Sequence, residues 1–428
     1  MKISIMGTGY VGLSTGVGFA KKGNSVLCFD IVREIVDKIN RREPTFYEPM
    51  IEDALKEVVS KGLLKATAYL NYAVLNSDIT FVCVPTPSQK DGSLDVSYIE
   101  KASVSLGKAL KGKDYHVVAV KSTVLPETTG NVVLPTLEKH SGKKCGRDFG
   151  LCMNPEFLRE GSALTDFLKP HRVIIGEFDK KSGDILERLY KDFDCPVLRT
   201  DIKTAEMIKY VSNAFLATKI SFSNEIGNVC KRMGVDVYEV MRGVGLDRRI
   251  SPDFLDAGIG FGGSCFPKDV DAIISKAKTL GESPIIMESV IELNRNQPLR
   301  MIDLLKKRIN IKDKRVCILG LAFKPGTDDV REAPSAVIVD RLLKEGAAVN
   351  AYDPKAMEKF RDRYPQITYF NSAREALKNA DACLILTEWD EFRNLSENDF
   401  NLMNKKVVIE GRKILDREKV QGFEGICW

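Results

Sequence analysis

The chain reads KISIMGTGYVGLSTGVGFAKKGNSVLCFD over residues 2–30. The pattern GxGxxG occupies residues 7–12, after an apolar run at Ile3–Met6, and a second apolar run, Ser25–Phe29, ends at Asp30. In a strand–turn–helix unit this pattern accepts a pyrophosphate at the helix N-terminus, and an acidic residue after the next strand accepts the ribose 2′-hydroxyl. Every part of that context is present, so the sequence predicts a dinucleotide-binding unit here.

Each glycine of this motif has its own expected role. Gly7 permits the tight turn, Gly9 lets the backbone approach the pyrophosphate, and Gly12 allows close packing of the helix. Asp30 would repel the 2′-phosphate of NADP, because both groups are negatively charged. The predicted cofactor is therefore NAD.

Apolar runs alternate with helical patterns in the first part of the chain. Segments such as Ile31–Arg41 and Pro49–Lys61 have a helical pattern. This alternation predicts a doubly wound α/β unit. The runs expected to form buried strands of a parallel sheet are Ile3–Met6, Ser25–Phe29, Ile79–Val84, Val117–Val120 and Val173–Ile175.

The pattern changes after Asp201. The segment Thr204–Met233 has no proline, and its apolar residues recur at helical spacing. It predicts one long helix of the kind that bridges domains or packs between subunits. A glycine-rich loop follows at Gly258–Gly263, and further helical segments are expected from Asp269 to about Ile309.

The α/β alternation resumes at Arg315 and repeats the order of the N-terminus. VCILG, KEGAAVNAYD and NADACLILT correspond to ISIMG, KKGNSVLCFD and NSDITFVCVPT. We expect a second Rossmann-like domain, with an extra loop at Lys324–Ala333. The predicted fold class is α/β, with two Rossmann-like doubly wound parallel-sheet domains joined by a long central helix and helical segment. The predicted domains are 1–198, 199–310 and 311–428.

Composition argues against several classes of partner. Among 428 residues, a net charge of +5 is too small to indicate a nucleic-acid or membrane partner. The ten cysteines include no CxxC pair and the chain has only three histidines, so no metal site is predicted. Scattered thiols fit a reducing compartment, and we expect a cytoplasmic protein.

Two polar motifs have ordinary structural explanations when taken alone. In NPEFLREG, residues 154–161, the asparagine suits a helix N-cap and the proline the first helical position. Glu156 and Glu160 would then form the solvated acidic face of a helix. Lys209 and Asn213, four residues apart on the long helix, would form an exposed polar stripe.

The third motif, GFGGSCFPKD at residues 260–269, favours chemistry. Its glycines are expected to offer bare backbone N–H groups and room for a ligand. Lys268 and Asp269 follow Cys265 by three and four residues, and a nearby lysine favours the nucleophilic thiolate. Most cysteines are core residues, but in this loop we predict a nucleophile.

Together these motifs resemble the UDP-glucose/GDP-mannose dehydrogenase family over essentially the whole chain. The second Rossmann-like domain then becomes the expected UDP-sugar-binding domain. The resemblance rests on GTGYVG (7–12), CVPTP (83–87), VKSTV (120–124), NPEFLREG (154–161), EMIKYVSNAFLATKISFSNEI (206–226), GFGGSCFPKD (260–269), LGLAFKPGTDDVRE (319–332), YDP (352–354), TEW (387–389) and GR (411–412).

The resemblance implies an NAD-dependent oxidoreductase that oxidises carbon 6 of a nucleotide-bound sugar to a carboxylate in two steps. Cys265 would capture the intermediate aldehyde as a thiohemiacetal, which is oxidised to a thioester and then hydrolysed. Asp269 and Lys209 would handle the first proton through a water, and Lys209 would stabilise the oxyanions. Glu156 and a water on Thr123 would serve hydrolysis.

The resemblance also implies binding residues. Asn213 would orient the sugar, and Arg249 would reach a neighbouring subunit, so a homodimer is the minimum expectation. The cofactor would contact Gly7, Gly9, Tyr10, Val11, Gly12, Asp30, Arg33, Val84, Pro85, Thr86, Thr123, Glu160, Lys268 and Arg331. The substrate would contact Glu156, Phe157, Leu158, Glu160, Lys209, Asn213, Arg249, Phe254, Leu255, Gly262, Phe323, Lys324 and Arg412.

UDP-glucose, oxidised to UDP-glucuronate, is the favoured substrate. The glycine after Glu160 and the SCFPKD ending of the cysteine loop favour it over GDP-mannose, and Ser264 and Lys268 argue against N-acetylhexosamine nucleotides. A one-step hydroxyacid dehydrogenase would not need Cys265. A non-catalytic sugar-nucleotide sensor would not need the catalytic set. Within the cofactor motif, Ile35 stands where the family often has lysine, and Arg33 is the candidate replacement.

Overall fold

The computed structural model describes all 428 residues, in two compact units, Met1–Ser212 and Asn213–Trp428. Each unit contains one β-sheet. The boundary between the units falls within the predicted long helix. The three domains expected from the sequence are a finer division, which stays a prediction.

The sheet of the first unit has eight strands in the order β3-β2-β1-β4-β5-β6-β7-β8. All five predicted strands are present. Neighbouring strands are parallel except β6 and β7, which run antiparallel, so the predicted parallel sheet is confirmed apart from this pair. The strands are β1 Lys2–Met6, β2 Ser25–Phe29, β3 Leu64–Thr67, β4 Ile79–Val82, β5 Val117–Val120, β6 Gly150–Met153, β7 Val173–Glu177 and β8 Val197–Asp201.

Helices cover the sheet of the first unit, and its core forms two apolar clusters. The predicted segments Ile31–Arg41 and Pro49–Lys61 form helices that begin two residues later. A π-helical turn, Thr129–Val133, leads into α6. The helices are α1 Tyr10–Lys21, α2 Arg33–Asn40, α3 Ile51–Ser60, α4 Leu70–Leu75, α5 Ser97–Leu110, α6 Leu134–Ser141, α7 Ala163–Leu168 and α8 Lys180–Leu189.

The motif NPEFLREG does not form the predicted helix. Residues 154–161 are an irregular loop between β6 and α7. Asn154 cannot act as a cap because its side chain is engaged elsewhere: its amide donates to Ile174 O at 2.8 Å, and its Oδ1 accepts from Lys121 Nζ at 3.1 Å and Tyr190 Oη at 2.6 Å. The carboxylate of Glu156 is buried rather than solvated.

The second unit contains the predicted second Rossmann-like sheet, which begins at Arg315. Its strand order is β11-β10-β9-β12-β13-β14, and all neighbouring strands are parallel. The order around the first strand is the same as in the first unit. The strands are β9 Arg315–Leu319, β10 Ala348–Tyr352, β11 Thr368–Tyr369, β12 Ala382–Ile385, β13 Val408–Glu410 and β14 Glu424–Gly425.

The predicted long helix is confirmed as α9, which begins at Ile202 and ends at Met233. The helical segments expected from Asp269 onward form α11, α12 and α13. No helix in the chain is both long enough and apolar enough to cross a membrane. The remaining helices are α10 Val237–Gly245, α11 Phe266–Thr279, α12 Ile285–Asn296, α13 Leu299–Lys306, α14 Pro334–Lys344, α15 Met357–Arg363, α16 Ala373–Leu377, α17 Asp390–Arg393 and α18 Glu397–Phe400.

Candidate active site

The glycine turn after β1 has the shape that a pyrophosphate site needs. Gly7 has a φ of +92°, and a side chain there would lie 2.7 Å from Cys83 O. Open space surrounds the position of a Cβ on Gly9, and no side chain caps the N-terminus of α1, which begins at Tyr10. Uncapped N–H groups at a helix N-terminus attract anions. These residues therefore fit the diphosphate of NAD.

Asp30 is fixed beside this turn. Its Oδ2 accepts from the backbone N–H of Thr8 at 2.9 Å and from the Thr8 hydroxyl at 2.7 Å, while its Oδ1 accepts from Val32 N–H at 3.0 Å. The carboxylate remains partly exposed and can accept a further hydrogen bond. Arg33 is exposed at the start of α2, and Ile35 packs against the core.

The predicted cofactor residues after β4 and β5 lie together. The Thr86 hydroxyl donates to Thr123 O at 3.0 Å, and the Ser122 hydroxyl donates to Val84 O at 2.7 Å. Pro85, between these two contacts, is exposed. Two loops that follow neighbouring strands are thus tied to each other at the carboxyl edge of the sheet, where ligands bind in this type of fold.

Glu156 and Lys209 form a buried ion pair in the first unit. Their charged atoms are 3.0 Å apart, and their side chains are only 6% and 4% exposed. Glu156 Oε2 also accepts from Leu158 N–H at 2.5 Å, and Lys209 Nζ lies 5.4 Å from the centre of the Phe157 ring. Lys209 and Asn213 are both buried, so the expected exposed stripe was wrong.

Lys121 is a buried cation that the sequence analysis did not assign. Its Nζ donates to Oδ1 and to the backbone oxygen of Asn154, at 3.1 and 3.4 Å. Burial lowers the pKa of Lys121 to about 8, and the negative charge of Glu156 opposes that shift. Its position at the carboxyl end of a buried strand was the available signal. Lys121 therefore anchors the start of the loop that carries Glu156.

In the second unit, Cys265 is the one exposed thiol among the ten cysteines. It is the N-cap residue of α11, and its Sγ lies 3.6 Å from the Ser264 hydroxyl. Asp269 is buried in the first turn, where Oδ2 accepts from Asn213 Nδ2 at 2.6 Å and Oδ1 pairs with Lys268 Nζ at 2.6 Å. The thiol, the carboxylate, the amide and the ammonium are thus grouped around one helix start.

Two backbone N–H groups of this loop, those of Phe261 and Gly263, are not free for a ligand. Gly263 N–H donates to Arg331 O at 2.9 Å, and Phe261 N–H donates to Asn294 Oδ1 at 2.8 Å. A Cβ on Gly263 would lie 2.7 Å from the Phe323 ring. The glycines are needed because the loop packs closely against the rest of the unit, which fixes the turn that carries the cysteine.

Other predicted substrate residues border the same loop. Arg412 Nη2 donates to Gly260 O at 2.9 Å, and a Cβ on Gly262 would lie 3.0 Å from Phe323 Cβ. Lys324 Nζ lies 5.4 Å from the centre of the Phe323 ring. Arg331, predicted at the cofactor, belongs to the second unit and pairs with Asp329.

Several other predicted residues have partners elsewhere in their unit. The guanidinium of Arg249 is exposed and pairs with Asp247 at 2.6 Å. Leu255 is buried in the main apolar cluster of the second unit, and the Phe254 ring packs 6.3 Å from that of Phe266. In the first unit, Val11 and Leu158 pack on the apolar core, and Glu160 lies in the turn before α7.

Three family models match successive parts of the chain. The NAD binding domain of the UDP-glucose/GDP-mannose dehydrogenase family matches residues 1–194, its central domain matches 203–296, and its UDP binding domain matches 317–417. The first match covers the glycine turn and Asp30, and the second covers Lys209 and Cys265.

Individual proteins agree with these models. Over 432 residues the chain is 43% identical to the UDP-glucose 6-dehydrogenase AglM of Haloferax volcanii, with 100% of both covered. It is 38% identical over 453 residues to a GDP-mannose 6-dehydrogenase of Pseudomonas savastanoi pv. phaseolicola, also with 100% of both covered. A solved UDP-glucose dehydrogenase from Pyrobaculum islandicum gives a TM-score of 0.94 at 40% identity, over 100% of this chain and 97% of that one. The chain is therefore an NAD-dependent oxidoreductase that belongs to the UDP-glucose/GDP-mannose dehydrogenase family.

Proposed function

We propose that the protein oxidises carbon 6 of UDP-glucose to the carboxylate of UDP-glucuronate through a thioester on Cys265. The observation that carries this proposal is the exposed thiol of Cys265 at the N-terminus of α11, with Asp269 and Lys268 in the same helical turn. A helix N-terminus stabilises the thiolate, the nucleophilic form of cysteine. A simple alcohol dehydrogenase has no use for such a thiol.

The first oxidation removes the hydroxyl proton of carbon 6 and a hydride from the same carbon. Asp269 is suited to hold the water that takes the proton, because Asn213 and Lys268 fix its two carboxylate oxygens. Lys209 is suited to stabilise the negative charge on the substrate oxygen, because a buried ammonium acts in a medium of low polarity. NAD, when bound, accepts the hydride in each oxidation.

The second oxidation requires the thiol. The Cys265 thiolate adds to the aldehyde carbon, and the resulting thiohemiacetal loses a hydride and a proton to become a thioester. Water then attacks the thioester carbon and the thiolate leaves. Glu156 is the proposed base for that water, which Thr123 would hold. The ion pair with Lys209, at 3.0 Å, holds the Glu156 carboxylate in a fixed position.

Most of the proposed cofactor contacts lie in the first unit around the turn of Gly7–Gly12, whereas Lys268 and Arg331 belong to the second unit. Gly9 and the start of α1 would hold the diphosphate, and Asp30 would accept a ribose hydroxyl. The further contacts proposed in this unit are Arg33, Val84, Pro85, Thr86, Thr123 and Glu160. The proposed domains are a cofactor domain at 1–198, a central helical domain at 199–310 and a UDP-sugar domain at 311–428.

A homodimer is proposed from α9. In the second unit this helix exposes Phe215, Phe222, Val229 and Met233, spaced by seven, seven and four residues on one face. An exposed apolar stripe of this kind marks a protein–protein contact. The mass of one chain is 47.7 kDa, and light scattering should give twice that mass.

A cytoplasmic location is proposed because a reducing compartment keeps an exposed thiol reduced.

The assignment of UDP-glucose is tested by offering purified protein and NAD three substrates separately: UDP-glucose, GDP-mannose and UDP-N-acetylglucosamine. The absorbance of NADH reports each oxidation. We expect kcat/KM to be highest with UDP-glucose, by at least about tenfold. A higher kcat/KM with GDP-mannose would show that the protein is a GDP-mannose dehydrogenase of the same family. No NADH with any nucleotide sugar would favour a sensor.

A further inference from the structure

A buried carboxylate outside the residues discussed so far connects the cofactor turn with the NPEFLREG loop. Glu48 lies in the loop before α3, and its side chain is 3% exposed. Its Oε2 accepts from the Tyr10 hydroxyl at 2.5 Å and from Gly161 N–H at 2.7 Å, and its Oε1 accepts from Ala163 N–H at 2.7 Å. The three donors come from two distant segments of the chain.

Both of these segments carry proposed ligand contacts. Tyr10 is the first residue of α1, directly after Gly9 in the diphosphate turn. Gly161 follows Glu160 in the loop that also holds Glu156. The Tyr10 hydroxyl also lies 3.2 Å from Arg159 O, so the side chains of Tyr10 and Glu48 together span from the helix start to this loop.

Removing a carboxylate from water is costly unless fixed donors replace the lost hydration. The environment of Tyr10 reflects its place in this cluster, since burial and the Glu48 carboxylate both raise the pKa of its phenol. The cluster is therefore a rigid polar link rather than a solvated surface contact. Movement of the glycine turn or of the loop would break at least one of its bonds.

We propose that Glu48 is a positioning residue that couples the cofactor turn to the substrate loop, so that binding of NAD and of the nucleotide sugar strengthen each other. The proposal rests on the proposed function for the identity of the two ligands. Coupling of this kind is reciprocal: each ligand must change the affinity for the other by the same factor. A carboxylate with a merely structural role would produce no such factor.

The test compares native protein with Glu48→Gln. The amide keeps the size of the side chain but replaces one acceptor oxygen with a donor, which would face a backbone N–H or the Tyr10 hydroxyl. We expect KM for NAD and for UDP-glucose each to rise by roughly tenfold, with kcat changed by no more than about threefold. Calorimetry should show NAD binding more tightly in the presence of UDP-glucose in native protein, and this difference should disappear in the variant.

Asp179→Asn is the matched control. Asp179 is also a carboxylate that accepts from a backbone N–H, at Ser182 in the first turn of α8, but it contacts no proposed ligand residue. We expect a lower melting temperature and unchanged KM values for this control. If Glu48→Gln behaves in the same way, with both KM values and the coupling factor unchanged, the proposal is wrong.

Tyr10→Phe provides a second variant if Glu48→Gln does not fold. It removes only the hydroxyl between Glu48 and Arg159, and it should lower the coupling factor by roughly threefold. An unchanged factor in Tyr10→Phe would overturn the proposal even without the first variant. Failure of the proposed function is a separate result, because it would appear as an absence of NADH formation by the native protein.

Discussion

In both sheets a glycine with positive φ follows the first strand, Gly7 at +92° and Gly320 at +98°. Each N–H donates at 2.9 Å to the last residue of the second strand, Phe29 in one unit and Tyr352 in the other. The strand order around this point is also the same. The glycine turn that follows the first strand of a Rossmann unit is therefore present twice in the chain.

The acidic residue after the second strand distinguishes the two sheets. Asp30 is partly exposed and accepts three hydrogen bonds, all from Thr8 and Val32. Asp353 is fully buried and accepts five hydrogen bonds. Its donors are the backbone N–H groups of Leu321, Ala322, Lys355 and Ala356 and the indole of Trp389. The same sequence pattern thus leaves one carboxylate available to a ligand and uses the other to hold the fold.

The helix after the glycine differs too. In the first unit α1 begins at Tyr10, and Gly12 packs so closely on Gly7 that a side chain there would overlap the Gly7 carbonyl. In the second unit residues 321–333 separate the glycine from α14. Only in the first unit does the helix follow the glycine turn directly in the sequence. The comparison teaches that a repeated strand–glycine–strand–aspartate pattern does not imply a repeated cofactor site.

The largest expected effect separates chemistry in the second unit from cofactor binding in the first. Cys265→Ala should lower the rate of UDP-glucuronate formation by at least about a thousandfold, near 4 kcal/mol of transition-state stabilisation, because no other exposed thiol is present. NAD affinity should stay within about threefold of the native value. Mass spectrometry of the product measures the first quantity and calorimetry the second.

Cys195→Ala, at a half-buried thiol of the first unit, is the control and should retain activity. Near-native product formation by Cys265→Ala would remove the thiol from the mechanism. Loss of NAD binding together with activity would show that the substitution disturbs more than the chemistry.

The next largest effect concerns Asp353, the buried carboxylate of the second sheet. Asp353→Ala leaves five buried donors without their acceptor, so the free energy of unfolding should fall by about 3 kcal/mol. KM for NAD should not change, because the residue does not face the cofactor. Urea unfolding and steady-state kinetics measure the two quantities. A rise in KM for NAD without a loss of stability would contradict the assigned difference between the sheets.

Asp30→Ala is the reciprocal substitution. It should raise KM for NAD by roughly 30-fold and narrow the preference for NAD over NADP, because both the ribose acceptor and the repulsion of the 2′-phosphate are lost. Its effect on unfolding should be smaller than that of Asp353→Ala, since its carboxylate is partly exposed. Equal kcat/KM for NAD and NADP in the native protein would show that Asp30 does not select the cofactor.

A smaller difference lies where β1 pairs with β4 in the first sheet and β9 pairs with β12 in the second. Ser4 faces Thr80 in the first sheet, and Cys317 faces Cys383 at the matching place in the second. The Thr80 hydroxyl also lies 2.7 Å from Nε2 of the buried His116. The first sheet therefore has a titratable group in its core at a place where the second sheet has thiols.

Burial lowers the pKa of His116 from 6.5 to about 3. Between those values the unfolded chain binds a proton that the folded chain does not, so stability falls as the pH falls below 6.5. His116→Gln should reduce this slope by up to about 1.4 kcal/mol per pH unit. Denaturant unfolding at several pH values measures it, and the exposed His171→Gln is the control. An unchanged slope in His116→Gln would contradict a buried neutral imidazole.

Features that depend on local backbone rules could be predicted from the sequence. The glycine turn at residues 7–12, the helix ending at Met233 and the second sheet starting at Arg315 follow from spacing and periodicity. β3 was missed because LKAT contains an exposed lysine, β6 because GLCM begins with a glycine, and β8 because VLRTD is only half-buried. Such runs give no clear hydrophobic period.

Features that depend on distant partners could not be predicted. The caps of NPEFLREG indicate a helix locally, but Lys121 and Tyr190 engage Asn154 from other elements, and this holds the chain in a loop. The roles of Lys121 and Glu48 arise from burial and from partners far away in sequence. Glu48 carries no local signal of its role, and Lys121 has only its place at the carboxyl end of a buried strand.

The measurement that tests the central claim most directly is the ratio of NADH formed to UDP-glucose consumed by the native protein. NADH absorbance and chromatography of the nucleotide sugars give both amounts in one reaction. If the thiol of Cys265 retains the aldehyde for a second oxidation, two NADH form for each UDP-glucuronate, and no free aldehyde accumulates. One NADH for each UDP-glucose, with the aldehyde as product, would contradict the thioester mechanism and reduce the second unit to substrate binding.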